Sequence, residues 1–299
     1  MSTTNIRERL GRVGVWLASL RPATIEQERA AARRIESVGY GSLWAGEVIG
    51  GKEAFAHQSV LLNATEQIVT GTGIANIWAR HPATMQAGAA TLGAAFPGRF
   101  VLGIGVSHAP IVERSGQTYD RPFTRMVEYL NGMDRVTGDV PVTEIPVPRV
   151  LAALGPKMLA LARDRADGAH PYFVPVEHTP VARQILGPDR LLIPEQAVVL
   201  STDAEQARSV ARSHTTTYLR LPNYVNNLRR LGYSDEDLAG AGSDRLVDAI
   251  VAWGDEEQIA NRVRAHLQAG ADHVLLQPLG DLSSAVAQLE RLAPAVLAT

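Results

Sequence analysis

The 299-residue chain has 29 basic and 31 acidic residues, a net charge of −2, 45% hydrophobic residues and no cysteine. This balance supplies no global field toward nucleic acid or an anionic membrane, and the lack of thiols excludes disulfides, cysteine nucleophiles and Cys-ligated metals. The opening MSTTNIRERLGRVG lacks an apolar leader core, and no later apolar run reaches the ~18 residues of a membrane span. The expectation is a soluble cytoplasmic protein with no metal site, forming one domain over residues 1–299 without linker or internal repeat.

Taken in chain order, short β-branched runs alternate with helical patterns. RVGVWL (Arg12 to Leu17) predicts a first strand. Thr24 with Gln27 then forms a capping box before a helix that Gly39 closes. GSLWA (Gly41 to Ala45) and QIVTGTGIA (Gln67 to Ala75) predict the second and third strands, and Pro82 opens the next helix at a first-turn position. RFVLGIG (Arg99 to Gly105) is the fourth strand, followed by a helix that Pro122 opens. PRVLAAL (Pro148 to Leu154), GAHPYFV (Gly168 to Val174), QAVVLS (Gln196 to Ser201) and DHVLLQPL (Asp272 to Leu279) complete eight strands. Between them GPKMLALARDRA, DAEQARSVARSH and DEEQIANRVRAHLQAG repeat apolar residues at helical spacing. Eight strand-helix units with right-handed crossovers predict an α/β fold of the (β/α)8 TIM-barrel class. A doubly wound open sheet is the alternative, but it calls for a phosphate loop after an early strand, and none is present.

Chemistry in such barrels sits at the C-terminal ends of the strands. There the chain places Glu47 in AGEVIGGKEAF, the glycine-rich GTGIANIWARHP, GVSHAP, and HPYFVPVEHT. A carboxylate, open backbone and histidines converge on one mouth. Gly103-Ile104-Gly105 does not continue into a phosphate fingerprint, because Val106, Ser107, His108, Ala109 and Pro110 follow. LRLPNYVNNLRRLGYSDEDL, between the seventh and eighth strands, exceeds a simple crossover and reads as an added helical lid or dimer element, with Tyr224 and its asparagines toward ligand.

These residues carry a resemblance. LWAGE, the block VTGTGIANI…RHPATMQAGAATLGAAFPGRFVLGIGVSH, and LARDRADGAHPYFVP resemble the bacterial luciferase-like family, in its branch of deazaflavin-dependent oxidoreductases that use coenzyme F420. The resemblance covers nearly the whole chain. It implies a (β/α)8 barrel, usually a homodimer, that binds a flavin or deazaflavin at the C-terminal face and moves hydride to or from a small organic substrate.

The resemblance also implies roles. The backbone at Gly73-Ile74 would bulge behind the cofactor ring through a cis peptide, Ile74 would press on the ring face, and Asn76 would offer an amide to its edge. Gly103 and Gly105 would clear space for a flat ligand, with Gly105, Val106 and Ser107 lending backbone near the ring. His108 and Glu47 would form an acid-base pair; alternatively Glu47 holds Lys52 or Arg80 in an ion pair, and His108 is a satisfied structural residue. His170, Tyr172, Phe173 and Val174 would carry the sixth strand past the cofactor's side chain, and the helix start at His178 and Thr179 would hold its phosphate, unless Thr179 only caps that helix. Trp16 and Trp78 would line a substrate pocket or belong to the core.

Three functions stand: an F420-dependent oxidoreductase, an FMN-dependent monooxygenase of the same fold, and a flavin- or deazaflavin-binding protein without turnover. A Schiff-base aldolase is disfavoured, because the only lysines, Lys52 and Lys157, fall in a loop and at a helix start.

Overall fold

The computed structural model describes residues 3–136 and 140–298. One sheet of parallel-paired strands organises it: β1 (Val13–Trp16), β2 (Ser42–Ala45), β3 (Val69–Thr72), β4 (Ala75–Asn76), β5 (Phe100–Gly105), β6 (Arg149–Leu151), β7 (Gly168–Ala169), β8 (Leu191–Leu192), β9 (Glu195–Leu200), β10 (Val251–Gly254) and β11 (Val274–Pro278). The ladder runs β9-β11-β1-β2-β3-β5-β6-β7-β8. It closes on itself, because β8 and β9 are two halves of one segment interrupted at Ile193-Pro194. Ile193 N–H bonds Ala169 O at 2.9 Å on one side, while Leu275 N–H bonds Pro194 O at 2.9 Å on the other. The result is a ring of eight, with helices outside, which is the expected (β/α)8 architecture.

Strands β1, β2, β3 and β5 are buried at every residue, as parallel barrel strands covered on both faces must be. The helix signals also act as read. Thr24 and Gln27 form a reciprocal capping box at Ile25–Ser37, and Pro82 and Pro122 open Pro82–Ala95 and Pro122–Asp134. No helix among the described residues is long and apolar enough to cross a membrane.

Three differences from the predicted strands are informative. The third strand divides into β3 and β4 around a cis Gly73-Ile74 peptide. The sixth is a strand only over Gly168–Ala169, although its hydrogen bonds run on through His170 N–H to Leu151 O at 2.8 Å and Glu195 N–H to Pro171 O at 3.0 Å. The seventh begins one residue earlier than read, at Glu195, after Pro194, which has no N–H to donate to a ladder. In addition β10, outside the eight, pairs with β9 from Ala197↔Val251 to Leu200↔Gly254. The segment between β9 and β10 includes two short helices, Pro222–Arg230 and Asp235–Leu238.

Inside the ring, the Trp44 indole takes up the space that glycines leave. A Cβ on Gly71 would lie 2.4 Å from that indole, and one on Gly103 would lie 2.0 Å from Thr72 O. Gly103 therefore serves interior packing rather than ligand clearance. Where β3 pulls away from β5, the Thr72 hydroxyl accepts from Gly103 N–H at 2.9 Å and donates to Gly103 O at 2.7 Å, bridging the failing ladder. Gly103→Ala should cost about 1–3 kcal/mol or more by overpacking against fixed backbone. Urea unfolding measures it, and a change below about 0.5 kcal/mol would show that β3 yields freely.

Candidate active site

The mouth is built around the β3-β4 bulge. Gly73 N–H bonds Ala45 O at 2.8 Å, the Trp16 indole N–H bonds Gly73 O at 2.8 Å, and Glu47 N–H bonds Ile74 O at 3.0 Å. The cis Gly73-Ile74 peptide is thus held from β1 and β2. A Cβ on Gly73 would fall 2.3 Å from Trp16 Nε1, so glycine here keeps the indole in place. Ile74 is half-buried at the mouth, and the Asn76 side chain is buried with Nδ2 unpartnered. Its Oδ1 accepts from Trp78 N–H at 3.0 Å.

Gly105 makes room for a neighbouring side chain. Its Cβ would meet Ile74 Cγ1 at 2.7 Å. Beyond it, Ser107 takes the left-handed conformation (φ 57°), uncommon for a residue with a side chain. The N–H groups of Val106 and Ser107 have no acceptor among the described residues. Val106 O accepts from the Trp78 indole at 2.9 Å, which assigns Trp78 a bracing role beneath this loop.

Glu47 and His108 are not brought together. The buried Glu47 carboxylate receives both terminal nitrogens of Arg80, one at 2.9 Å, together with Asn76 N–H at 2.7 Å and Ala54 N–H at 3.2 Å. Those bonds saturate it, and the expected Glu47-His108 pair is replaced by a Glu47-Arg80 pair. Lys52 is engaged elsewhere, by buried Glu28 and by the Leu20 and Ala23 carbonyls at 2.8 and 2.6 Å. His108 faces the inserted helix. Its Nε2 lies 3.5 Å from the Tyr224 hydroxyl, and burial lowers its pKa, partly offset by a hydrogen bond that the ring donates to the Asn223 side chain.

The sixth-strand residues divide among several tasks. His170 is buried in the ring, where its Nδ1–H donates to Ile193 O at 2.8 Å, leaving Nε2 unpartnered; burial pushes its pKa down to about 4, so it is neutral. The Tyr172 hydroxyl donates to Gln277 Oε1 and shares a bond with Tyr218, both at 2.8 Å, while its ring lies 5.1 Å from Trp16. Phe173 is left-handed (φ 57°), and Val174 is buried in the core. His178 turns inward: its ring donates to Leu154 O at 2.9 Å, and Thr179 bonds His266 at 2.8 Å. Neither side chain faces outward to meet a phosphate. Among the described residues no cluster of three or more His, Asp or Glu is arranged for a metal.

Glu195 escaped the sequence reading. It stands at the start of β9, fully enclosed, with Oε2 accepting from Phe173 N–H at 3.1 Å and Oε1 unpartnered. Its signal was a carboxylate immediately before an apolar strand, in IPEQAVVL. Burial raises its pKa to about 8, so it is mostly protonated at neutral pH. A carboxyl raised in the folded state binds protons more tightly there than in the unfolded chain. Stability is therefore lost as pH rises from about 4.5 toward about 8. Glu195→Gln should flatten that slope in urea unfolding; an unchanged slope would place its origin elsewhere. A separate cavity of about 610 Å³ lies near the N-terminal ends of β6 to β8, bordered by Arg149, Asp167 and Arg190, on the face opposite the mouth.

Comparison with known proteins accords with this geometry. Residues 10–273 match the family model described as luciferase-like monooxygenase. A 5,10-methylenetetrahydromethanopterin reductase of Methanolobus tindarius is 25% identical over 60% of this chain and 64% of its own length, so the alignment spans under two thirds of that relative. An F420-dependent secondary alcohol dehydrogenase, solved with an F420-acetone adduct, superposes with a TM-score of 0.75 at 18% identity, over 95% of this chain and 98% of that one. The oxygenating constituent of 3,6-diketocamphane monooxygenase from Pseudomonas putida, solved with FMN, gives 0.69 at 13% identity over 95% and 98%. At these identities the two structures speak for the fold alone. With the family model covering most of its length, the chain belongs to the luciferase-like monooxygenase family.

Proposed function

We propose that the protein is an oxidoreductase that exchanges hydride between coenzyme F420 and a small organic substrate. The observation that carries this reading is the β3-β4 bulge, with half-buried Ile74 at the mouth and the buried, unpartnered Asn76 amide behind it. A flat heterocycle with acceptor groups on its edge fits that surface. Ile74 would pack on its face, Asn76 Nδ2 would donate to its edge, and the free N–H groups of Val106 and Ser107 would add donors. When bound, the deazaflavin supplies a two-electron hydride acceptor or donor at its central ring carbon. The preference for F420 over FMN rests on the sequence resemblance and on the alcohol dehydrogenase neighbour, whose name includes F420; the FMN-bound neighbour supports the monooxygenase alternative.

The chain's own residues have separate tasks. His108, enclosed and with its pKa lowered by burial, takes the proton from the substrate oxygen as imidazole during oxidation and returns it as imidazolium during reduction. Glu47, held by Arg80 and two backbone N–H groups, positions the bulge. A homodimer, as the resemblance implies, completes the reading.

Titration by fluorescence quenching should show F420 binding at least about tenfold tighter than FMN; equal or tighter FMN binding would favour the monooxygenase. His108→Ala should keep cofactor affinity within about tenfold and slow the chemical step by ~10²–10⁴. Glu47→Gln should lower affinity and stability together, because it leaves Arg80 only the half-exposed Glu53 as an acidic partner and loosens the hold on Asn76. In the oxidative direction the neutral imidazole is the active form. The rate should therefore fall with acid, its midpoint below 6.5, and level off on the alkaline side of that midpoint. A midpoint above 6.5 would remove His108 from the proton step.

A further inference from the structure

Helix Pro222–Arg230 turns a polar edge toward the mouth. Tyr224 and Asn227 are 6% and 2% exposed, and the amide Nδ2 of Asn227 has no partner. The Tyr224 ring packs edge-on against Phe173 and Tyr218, both at 5.3 Å, and tilts against the His108 ring at 5.3 Å. Its hydroxyl stands 3.5 Å from His108 Nε2. That separation exceeds the ~2.7–2.8 Å of a normal O–H hydrogen bond, and an oxygen atom about 2.8 Å from both groups fits as the apex of a triangle on that base.

The structure assigns Tyr224, we propose, to the substrate: its hydroxyl and His108 Nε2 together hold one oxygen of an uncharged alcohol or carbonyl compound, under a cap formed by helix Pro222–Arg230. This rests on the proposed function for the reaction, but not for the binding. The restriction to uncharged molecules follows from the surroundings. The neighbouring walls are Tyr172, Phe173 and Tyr218, and no charged group contributes to the proton affinity of His108. The nearby loop cations Arg80 and Lys52 are committed to Glu47 and Glu28, and Arg230, at the far end of the capping helix from Tyr224, bonds Asn227 Oδ1 at 3.2 Å. A carboxylate entering here would lose its hydration without gaining a counter-ion, a cost of several kcal/mol.

The test follows the ring-proton NMR signal of His108, assigned by its loss in His108→Ala, during titration with cyclohexanol, cyclohexanone and cyclohexanecarboxylate. It is run with saturating F420 and again without cofactor. At least one neutral probe should shift the signal, and the carboxylate should not. Tyr224→Phe, which keeps the ring and should keep the melting temperature, should weaken the neutral probe at least about fivefold. Equal affinity in Tyr224→Phe, equally tight carboxylate binding, or no shift with either neutral probe would each overturn the assignment. Cofactor affinity is measured in the same samples. Should F420 fail to bind while the probes respond as stated, the cofactor reading falls and the Tyr224 assignment stands.

Discussion

The Glu47 carboxylate is the constraint on which the mouth depends. It joins the loop after β2, the start of helix Ala54–Ala64, β4 and Arg80 in one cluster of hydrogen bonds, while its own N–H holds Ile74 O. Both faces of the bulge are therefore fixed by one residue, Ile74 through the backbone and Asn76 through the side chain. A buried ion pair adds little net stability over an apolar substitute, yet breaking one by removing a partner costs about 3–5 kcal/mol. That asymmetry suits a structural clamp, since a rearrangement that pulls Glu47 away from Asn76 also leaves Arg80 to the half-exposed Glu53 alone.

Neutrality is the complementary constraint inside the ring. The Trp44 indole donates to Ser42 Oγ at 2.9 Å, Ser42 bonds His273 Nε2 at 2.7 Å, and His273 Nδ1 meets Gly11 O at 3.0 Å. This order fixes His273 as a neutral imidazole, and burial pushes its pKa down to about 4. His170 and Glu195 are likewise held uncharged, the first by a lowered and the second by a raised pKa. Charge is then concentrated at the rim, in pairs such as Glu47-Arg80. Within the mouth, His108 lies against Tyr224, its Nε2 3.5 Å from the Tyr224 hydroxyl.

Much of the scaffold was legible because its signals are local. Alternation of β-branched runs with capped helices marked the eight ring strands, and the prolines and capping boxes marked helix starts. Residues defined by distant partners were not legible. Whether Glu47 takes Lys52 or Arg80 depends on a contact across 33 residues, and Glu28, far upstream, removes Lys52 from the choice. The glycines of β5 look like ligand clearance in sequence, but their vacated space is filled by Thr72 O and Ile74. His178 reads as a helix-start donor, although its neighbour across the fold, Leu154 O, draws it inward. The cis peptide and the Asn76 position came from family resemblance, since no spacing rule signals either.

The two sides of the mouth are built differently, and this division constrains how it works. Its floor is backbone from β2 to β5, clamped by Glu47 and braced by Trp16 and Trp78, so its shape changes only if several hydrogen bonds break at once. Its wall is side chain, contributed by Phe173 and by Tyr218 and Tyr224 from the segment after β9, through ring contacts that tolerate small shifts. A flat cofactor needs the rigid surface, whereas substrates of different shape need the adjustable one. On the proposed reading, substitutions in helix Pro222–Arg230 alter substrate entry without disturbing the floor. Phe173 links the two: its left-handed backbone is anchored by Glu195, and its ring supports Tyr224, so the wall is referenced to β9 and through it to the ring.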